Sequence, residues 1–349
     1  MIRMPRDTIE GPYLNDLLEQ PAAIRRAWEH LGDRDLTRIA HQVRDGRYRR
    51  IVLTGMGSSQ YSLYPLHLNL IRHGLPSHLV ETAELIHYQS ELMARDALVV
   101  AVSQSGRSAE IVTLCDAVRG RATLIALTNT DGSPLARSAD VVLDMHAGPE
   151  ATVSCKTYLC SLLMLEWLGA QLTGEDATAV SDQLSLAAPA TEQYLYRWRE
   201  HVAALTTELA GVNRIFVTGR GPSLAAAENG GLILKESVRF AAEGLSCPAF
   251  RHGPFEVLRS DVLVVVMAGD SRSAPLNRRL ADDVRGAGAR ARLVCAREGE
   301  GALRIPDTSK QLRPLMEILP VQMMTLALGA IAGRQPGKFE LNTKVTTTE

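Results

Sequence analysis

The sequence repeats itself. Residues 51–59 read Ile-Val-Leu-Thr-Gly-Met-Gly-Ser-Ser, and residues 215–223, found 164 positions later, read Ile-Phe-Val-Thr-Gly-Arg-Gly-Pro-Ser. Two further apolar runs recur in the same order, at offsets of 165 and 169: 98–102 as 263–267 and 122–126 as 291–295. Three strand-like runs at almost one offset indicate that the chain is a tandem duplication of one α/β domain.

The length, net charge, apolar runs and cysteine pattern of the chain argue against several classes of protein. A chain of 349 residues has room for two domains of roughly 150 residues each. Its net charge of −1 argues against binding to nucleic acid. No uninterrupted apolar run reaches the roughly 18 residues of a membrane span, and the N-terminus has no apolar export segment. The five cysteines form no Cys-x-x-Cys pair, which predicts reduced thiols and a cytoplasmic protein.

Apolar runs alternate with helical patterns along most of the chain, which predicts parallel sheets covered by helices on both faces. The fold class expected is α/β, with two tandem flavodoxin-like doubly wound parallel sheets. The expected organisation is a helical lead-in, a first domain, a connecting helix, a second domain and a C-terminal tail: 1–46, 47–172, 173–207, 208–333 and 334–349. No metal site and no cofactor are expected, since no Cys, His and carboxylate cluster has the spacing of metal ligands.

Hydroxyl-bearing residues follow the third apolar run. Residues 103–108 read Ser-Gln-Ser-Gly-Arg-Ser at a predicted turn from strand to helix. Free backbone N–H groups at such a turn, together with hydroxyls, suit a phosphate monoester. A Ser N-cap with polar neighbours is the simpler alternative. Residues 55–59 form a comparable Gly-rich turn, which alone could be an ordinary tight turn.

A third polar segment, 152–157, opens a long apolar helix and would converge with these turns on one edge of the sheet. The second copy differs at the matching turns. Residues 219–223 keep the glycines, but residues 268–271 read Ala-Gly-Asp-Ser, in which the carboxylate of Asp270 would repel a phosphate. We therefore expect the first copy to bind the phosphate and the second to serve another purpose.

A carboxylate and an imidazole mark the second copy. Glu236 lies near the end of a helical pattern, and His252 follows sixteen residues later between Arg251 and Gly253-Pro254. Such a pair can move protons at neutral pH. An isolated Glu and an isolated His are usually solvated or structural, so the pair alone is weak evidence.

Taken together, these motifs resemble those of the sugar isomerase (SIS) superfamily. The chain is most similar to the isomerase half of glucosamine-6-phosphate synthase and to the stand-alone sugar-phosphate deaminases and fructosamine-phosphate deglycases. The resemblance spans about 47–349. The motifs that carry it are Gly57-Ser58-Ser59, the Ser-Gln-Ser-Gly-Arg-Ser loop, Ser154-Cys155-Lys156, Lys235-Glu236, Arg251-His252-Gly253-Pro254 and the C-terminal Lys344-Val345-Thr346-Thr347-Thr348-Glu349.

The resemblance implies a role for each matching residue. Glu236 would move the proton between C1 and C2 of the sugar, His252 would assist ring opening from the neighbouring subunit, and Lys344 would contact the sugar. The expected phosphate and sugar contacts are Gly57, Ser58, Ser59, Ser103, Gln104, Ser105, Ser108, Val153 and Ser154. The resemblance also implies a homodimer that acts on a sugar phosphate without metal or cofactor, and neither nucleic acid nor a membrane is an expected partner.

Departures from the synthase pattern reduce the number of reactions that we expect this chain to catalyse. No glutaminase domain precedes the lead-in, so glutamine is not the expected ammonia source. Asn229 stands where the synthase has a Glu, Ile233 stands where it has a Lys, and its acidic residue before Ser-Thr-Lys is displaced by one position, to Glu150. The Glu–His pair that remains is also what the deaminases and deglycases keep.

The expected function is therefore an enzyme that acts on a keto- or amino-sugar 6-phosphate through proton transfer at C1/C2, followed by C–N cleavage. The alternatives are a fructosamine-6-phosphate deglycase, a plain aldose–ketose isomerase and a non-catalytic sugar-phosphate sensor. The sensor is disfavoured because residues 1–46 show no convincing helix-turn-helix and because a sensor needs neither Glu236 nor His252.

Overall fold

A computed structural model describes residues 9–297, 301–341, 343–346 and 348, so the first eight residues of the predicted lead-in lie outside the described chain. The chain divides into two compact units. The first contains the described residues of 22–150, 156–185 and 341–349, and the second contains those of 1–21, 151–155 and 186–340. Each unit is built around one of the two sheets that the repeat predicts.

The first unit has a five-stranded parallel sheet in the order β2-β1-β3-β4-β5. Its strands are β1 Arg50–Gly55, β2 Ser77–Glu81, β3 Ala97–Val102, β4 Thr123–Thr128 and β5 Val141–Asp144. Every residue of the central β3 is buried, because helices cover both faces of the sheet. The order is that of a flavodoxin-like doubly wound domain, so the expected fold is confirmed for this half.

Helices of the first unit connect these strands and flank the sheet. They are α2 Gln20–Glu29, whose first two residues belong to the second unit, α3 Thr37–Arg44, α4 Ser58–Ser62, α5 Tyr64–Arg72, α6 Thr82–Tyr88, α7 Ala109–Val118, α8 Pro134–Ser138, α9 Lys156–Thr173 and α10 Ala177–Leu184. A short 3₁₀ turn at Ser90–Leu92 precedes β3. One core cluster joins Val99 and Leu124 of the sheet to Ile111 and Leu114 of α7.

The second unit has a four-stranded parallel sheet in the order β7-β6-β8-β9. Its elements are α1 Pro12–Leu18, α11 Ala187–Leu195, α12 Trp198–Glu208, β6 Arg214–Gly219, α13 Ser223–Val238, β7 Ala242–Ser246, α14 Cys247–Arg251, β8 Val262–Met267, α15 Ala274–Gly286, β9 Arg290–Val294 and α16 Arg313–Ala332, with 3₁₀ turns at Pro254–Val257 and Gly301–Leu303. The strand order repeats that of the first unit, so the predicted duplication is confirmed, and among the described residues no fifth strand joins this sheet.

The segment 173–207 was expected to be one connecting helix, and this expectation is wrong. It contains α10, α11 and all of α12 except its last residue. Asp176 caps α10 by accepting from the N–H groups of Thr178 and Ala179. Pro189 has no N–H to donate, and it lies in the first turn of α11, where a missing donor costs nothing. The chain therefore starts a new helix there.

Helix α16 is long and apolar enough to cross a membrane by length and composition, although the sequence shows no uninterrupted apolar run of that length. Residues Pro314 to Ala330 of this helix are all buried within the second unit, which is typical of a core helix. All five cysteines are free, and four of them are buried.

Candidate active site

The hydroxyl-rich loop 103–108 joins β3 to α7 in the first unit, as predicted. Gly106 makes its sharp turn with φ 59°, and a Cβ at this position would lie 2.3 Å from the Ser133 hydroxyl oxygen. The backbone N–H of Gly106 donates to the Ser103 side chain at 3.1 Å. Only glycine combines this conformation with this close approach, so the loop geometry is specified locally.

Ser108 is the N-cap residue of α7, with an extended backbone. Among the described residues, its hydroxyl makes no capping hydrogen bond to the helix it precedes. Ser105 accepts weakly from the N–H of Arg107, at 3.4 Å. The Ser108 hydroxyl and the N–H groups of the first turn of α7 that follow Ala109 could therefore donate hydrogen bonds to an anion.

Backbone hydrogen bonds fix the position of Gln104, and this residue lines a cavity. Its carbonyl accepts from the N–H of Asn129 at 3.1 Å and from the hydroxyl of Thr130 at 3.2 Å. The cavity has a volume of about 630 Å³, and Asn129, Thr130 and Glu150 line it together with Gln104. Sequence reasoning missed Asn129 and Thr130, which only the pairing of β4 beside β3 places here.

The C-terminal segment lies against this same unit. The Lys344 ammonium contacts the Glu150 carboxylate at 3.3 Å and also donates to the Glu150 carbonyl. The Thr346 carbonyl accepts from the N–H of Ala109, the first residue of α7, at 3.2 Å. The tail is therefore attached beside the loop 103–108, although composition alone is equally compatible with a disordered end.

Glu150 is a buried carboxylate with several partners. Its side chain is fully buried and accepts from the N–H of Thr157 at 3.1 Å and from the Thr157 hydroxyl at 2.8 Å. A buried carboxylate needs such donors and a cation to offset desolvation. Thr157 supplies the donors here, and Lys344 of the tail supplies the cation.

The Gly-rich turn 55–59 lies after β1, at the same edge of the sheet as the loop after β3, because both strands are parallel. Gly57 has φ 52° and precedes α4, with Ser58 buried and Ser59 half-buried at its start. Val153 and Ser154 belong instead to the short stretch 151–155 of the second unit. Val153 is buried and Ser154 is half-buried.

The predicted proton-transfer residues both lie in the second unit. Glu236 is half-buried two residues before the end of α13, and His252 is exposed directly after α14, followed by Gly253 with φ 127°. Their roles, and those of Val153 and Ser154, stay predictions.

Glu228 is a further acidic group of α13, about two turns before Glu236. It is half-buried, and burial raises its pKa to about 7. A Cβ on Gly244 of β7 would lie 2.4 Å from the Glu228 Cα, so α13 and β7 approach closely beside this carboxyl. A carboxyl with a pKa near 7 can exchange protons at neutral pH.

The turn after β8 holds a carboxylate where the first copy has the hydroxyl-rich loop 103–108. The Asp270 carboxylate accepts from the N–H groups of Arg272 and Ser273, at 3.1 and 2.9 Å, and from the Ser273 hydroxyl. Burial acts to raise the pKa of Asp270, but these hydrogen bonds outweigh it and hold the pKa below its usual value. The loop's own carboxylate thus takes the donors that an anion would need.

Comparison with known proteins agrees with this architecture. The sequence profile of the SIS domain matches residues 47–170 and 208–332. Over 354 residues the chain is 28% identical to the glutamine–fructose-6-phosphate aminotransferase [isomerizing] of Thermococcus kodakarensis, and the match covers 96% of this chain and 58% of that protein. The chain therefore spans little more than half the length of this relative.

Two solved structures show the same fold. The C-terminal domain of glucosamine-fructose-6-phosphate aminotransferase from Francisella tularensis has a TM-score of 0.83 at 18% identity, covering 95% of this chain and 99% of that one. Glucosamine-6-phosphate deaminase from Thermotoga maritima has a TM-score of 0.79 at 17% identity, covering 97% and 100%. At these identities the likeness establishes the shared fold.

Proposed function

This chain belongs to the SIS-domain family, and we propose that it is an enzyme acting on a phosphorylated keto- or amino-sugar. The observation that carries the proposal is the hydroxyl-rich loop 103–108 of the first unit, which we name the phosphate loop after its proposed ligand. There the Ser108 hydroxyl lies at the start of α7 beside the attached tail. A phosphate monoester would be held there by hydroxyl and backbone donors.

We expect Ser108→Ala to weaken binding of a hexose 6-phosphate by about 10- to 100-fold, because each charge-assisted hydrogen bond contributes about 1.5–3 kcal/mol. Calorimetric titration with fructose 6-phosphate measures this effect, and Thr113→Ala, one turn further along α7 on an exposed residue, is the control. If the two variants bind fructose 6-phosphate with equal affinity, this loop is not the site that binds the phosphate.

We propose that the sugar extends from the phosphate loop into the cavity lined by Gln104 and Asn129. The Lys344 ammonium would contact its hydroxyls from the tail, held in place by Glu150. Gly57, Ser58 and Ser59 would line the same edge of the sheet.

The proposed chemistry is acid–base catalysis. The Glu236 carboxylate takes the C2 proton of an open-chain 2-amino sugar, and an enolamine forms. The proton returns to C1, the C2 imine that results is hydrolysed by water, and ammonia leaves with a ketose phosphate. His252 assists ring opening, and we propose that it does so in the site of a second subunit, which makes the active unit a homodimer.

The apolar side chain at position 233 is the reason that we expect a nitrogen-bearing substrate. The synthase pattern has a lysine at this position, which could stabilise developing enediolate charge. Here the side chain is apolar and only 1% exposed, so it packs in the core of the second unit and offers no cation. An amine or iminium nitrogen in the substrate would supply the missing electron sink. The free cysteines are consistent with a cytoplasmic enzyme.

The test is turnover in heavy water with three substrates: glucosamine 6-phosphate, fructosamine 6-phosphate and fructose 6-phosphate. We expect release of ammonia or amine, with deuterium incorporated at C1 or C2. Rapid interconversion of fructose and glucose 6-phosphates without amine release would instead identify a plain isomerase. Thermal stabilisation by these ligands without deuterium incorporation would identify a sensor.

A further inference from the structure

Two histidines and an aspartate lie together in the first unit, outside the phosphate loop. The ligand atoms of His30, Asp33 and His146 all lie within 4.8 Å of one another. The two imidazole rings are stacked, with centroids 3.9 Å apart and planes inclined by 22°. Spacing along the chain did not indicate this cluster, because His146 is far from the other two residues in sequence.

His30 presents a defined ring nitrogen. Its Nδ1 lies 2.8 Å from the Arg26 carbonyl oxygen, which can only accept, so Nδ1 carries the proton and donates. The Nε2 lone pair is then left for another partner. Histidines that bind metal typically donate their second ring nitrogen to a carbonyl or carboxylate in this way, which fixes both tautomer and ring orientation.

His146 is held in an unusual backbone conformation, with φ 49°. The Asp144 carboxylate accepts from the His146 N–H at 3.0 Å, and the Arg26 guanidinium donates to the carbonyls of His146 and Ala147 at 3.1 and 3.0 Å. Such conformations persist only where the surroundings impose them, and they occur often at functional sites. The backbone at His146 is therefore fixed, and its ring stacks on that of His30.

The cluster faces a cavity of about 360 Å³. His30, Asp33 and His146 line it together with residues such as Thr128 and Trp167. Asp33 is exposed, and the two histidines are half-buried, so the cluster can be reached from solvent. A site with three protein ligands on such a cavity leaves a fourth position open to water or a small ligand.

We propose that His30 Nε2, a ring nitrogen of His146 and the Asp33 carboxylate bind a divalent transition-metal ion of the zinc class. Two imidazoles and one carboxylate suit zinc better than magnesium or calcium, which prefer oxygen ligands. Ligand atoms about 2.0–2.2 Å from zinc are at most about 4.4 Å apart, so the three side chains must move slightly closer together to share one ion. The lone pair of an imidazole lies in its ring plane, so binding must also turn the stacked rings of His30 and His146 until both nitrogens point at the ion. His146 also lines the cavity proposed for the sugar, so the two sites adjoin. Zinc binding is measured without sugar, and its failure would leave the proposed reaction unaffected.

The test is titration of zinc into tagless, chelator-treated protein by calorimetry, with cobalt absorbance as a second readout of nitrogen and oxygen ligands. We expect one zinc per chain. His146→Asn and His30→Gln should each weaken binding by about 100-fold or more. Asparagine suits the first position because it tolerates positive φ. His41→Gln, an exposed histidine of α3 in the same unit, is the matched control.

Three outcomes would overturn the proposal: no zinc binding by the wild type, equal affinity in the His146→Asn and His41→Gln variants, or a cobalt spectrum that the His30→Gln change leaves unaltered. Circular dichroism of each variant verifies that the fold is retained, so a loss of binding can be assigned to the ligands. If the His146→Asn protein does not fold, zinc binding by His30→Gln and Asp33→Asn decides the question. His30 has an ordinary backbone conformation and the Asp33 side chain is exposed, so neither change should unfold the protein.

Discussion

Replacing Glu236 with glutamine is expected to lower turnover of the sugar phosphate by about 10²–10⁴-fold, the usual contribution of a positioned general base. The amide cannot accept the proton that the proposed reaction removes from C2. Binding should be retained, because the proposed phosphate donors lie on the loop 103–108 and not on α13. The measurement is initial-rate kinetics on the best substrate of the panel, together with deuterium incorporation in heavy water.

The control for this prediction is Glu256→Gln. Glu256 is an exposed carboxylate of the second unit, in the short 3₁₀ turn after His252. It should retain wild-type turnover. If Glu236→Gln keeps both turnover and deuterium exchange, the base is another group, and Glu228 with its pKa near 7 is the first to replace.

Replacing Glu317 with glutamine is expected to stabilise the protein by about 3 kcal/mol at pH 8. Glu317 lies on α16 and is 1% exposed. Burial raises its pKa to about 7, and the hydrogen bond from the Ser223 hydroxyl at 3.0 Å and the nearby Arg313 only partly oppose this, while Asp270 adds to it. Ionised Glu317 is thus costly in the folded chain, and neutral glutamine avoids that cost.

The raised pKa of Glu317 also makes the free energy of unfolding depend on pH over a defined range. Below about pH 4.5 Glu317 is protonated in both the folded and the unfolded chain and costs nothing. Between about pH 4.5 and 7 the unfolded chain loses this proton first, so the free energy of unfolding falls as pH rises. Above about pH 7 both states are ionised, and the loss of stability is complete.

Urea unfolding of wild type and Glu317→Gln at pH 5 and pH 8 tests this prediction. The difference between the two proteins should grow from pH 5 to pH 8, in favour of the variant. Glu243→Gln, on an exposed position of β7, should show no such growth. A Glu317→Gln protein that is less stable than the wild type at pH 8 would mean that the carboxylate is stabilised in the folded state.

Much of the fold could be read from local sequence. The runs 98–102 and 263–267 are continuously apolar because β3 and β8 are covered on both faces, and this pattern depends only on neighbouring residues. The loop 103–108 was predictable for the same reason, since Gly106 makes its turn within six residues. The break of 173–207 into separate helices was missed, although Pro189 was a local signal for it.

What the sequence by itself determined is the duplication, the alternation of strands and helices within each copy and the loop that suits a phosphate, because hydrophobic period and turn chemistry act over a few residues. The order of the strands in each sheet was decided by tertiary pairing. Only the tertiary structure decided that Lys344 meets Glu150, 194 residues away, and that His146 meets His30 and Asp33. Such pairs depend on how distant segments pack onto one sheet edge, and side chains that are far apart along the chain leave no periodic pattern that could reveal their contact.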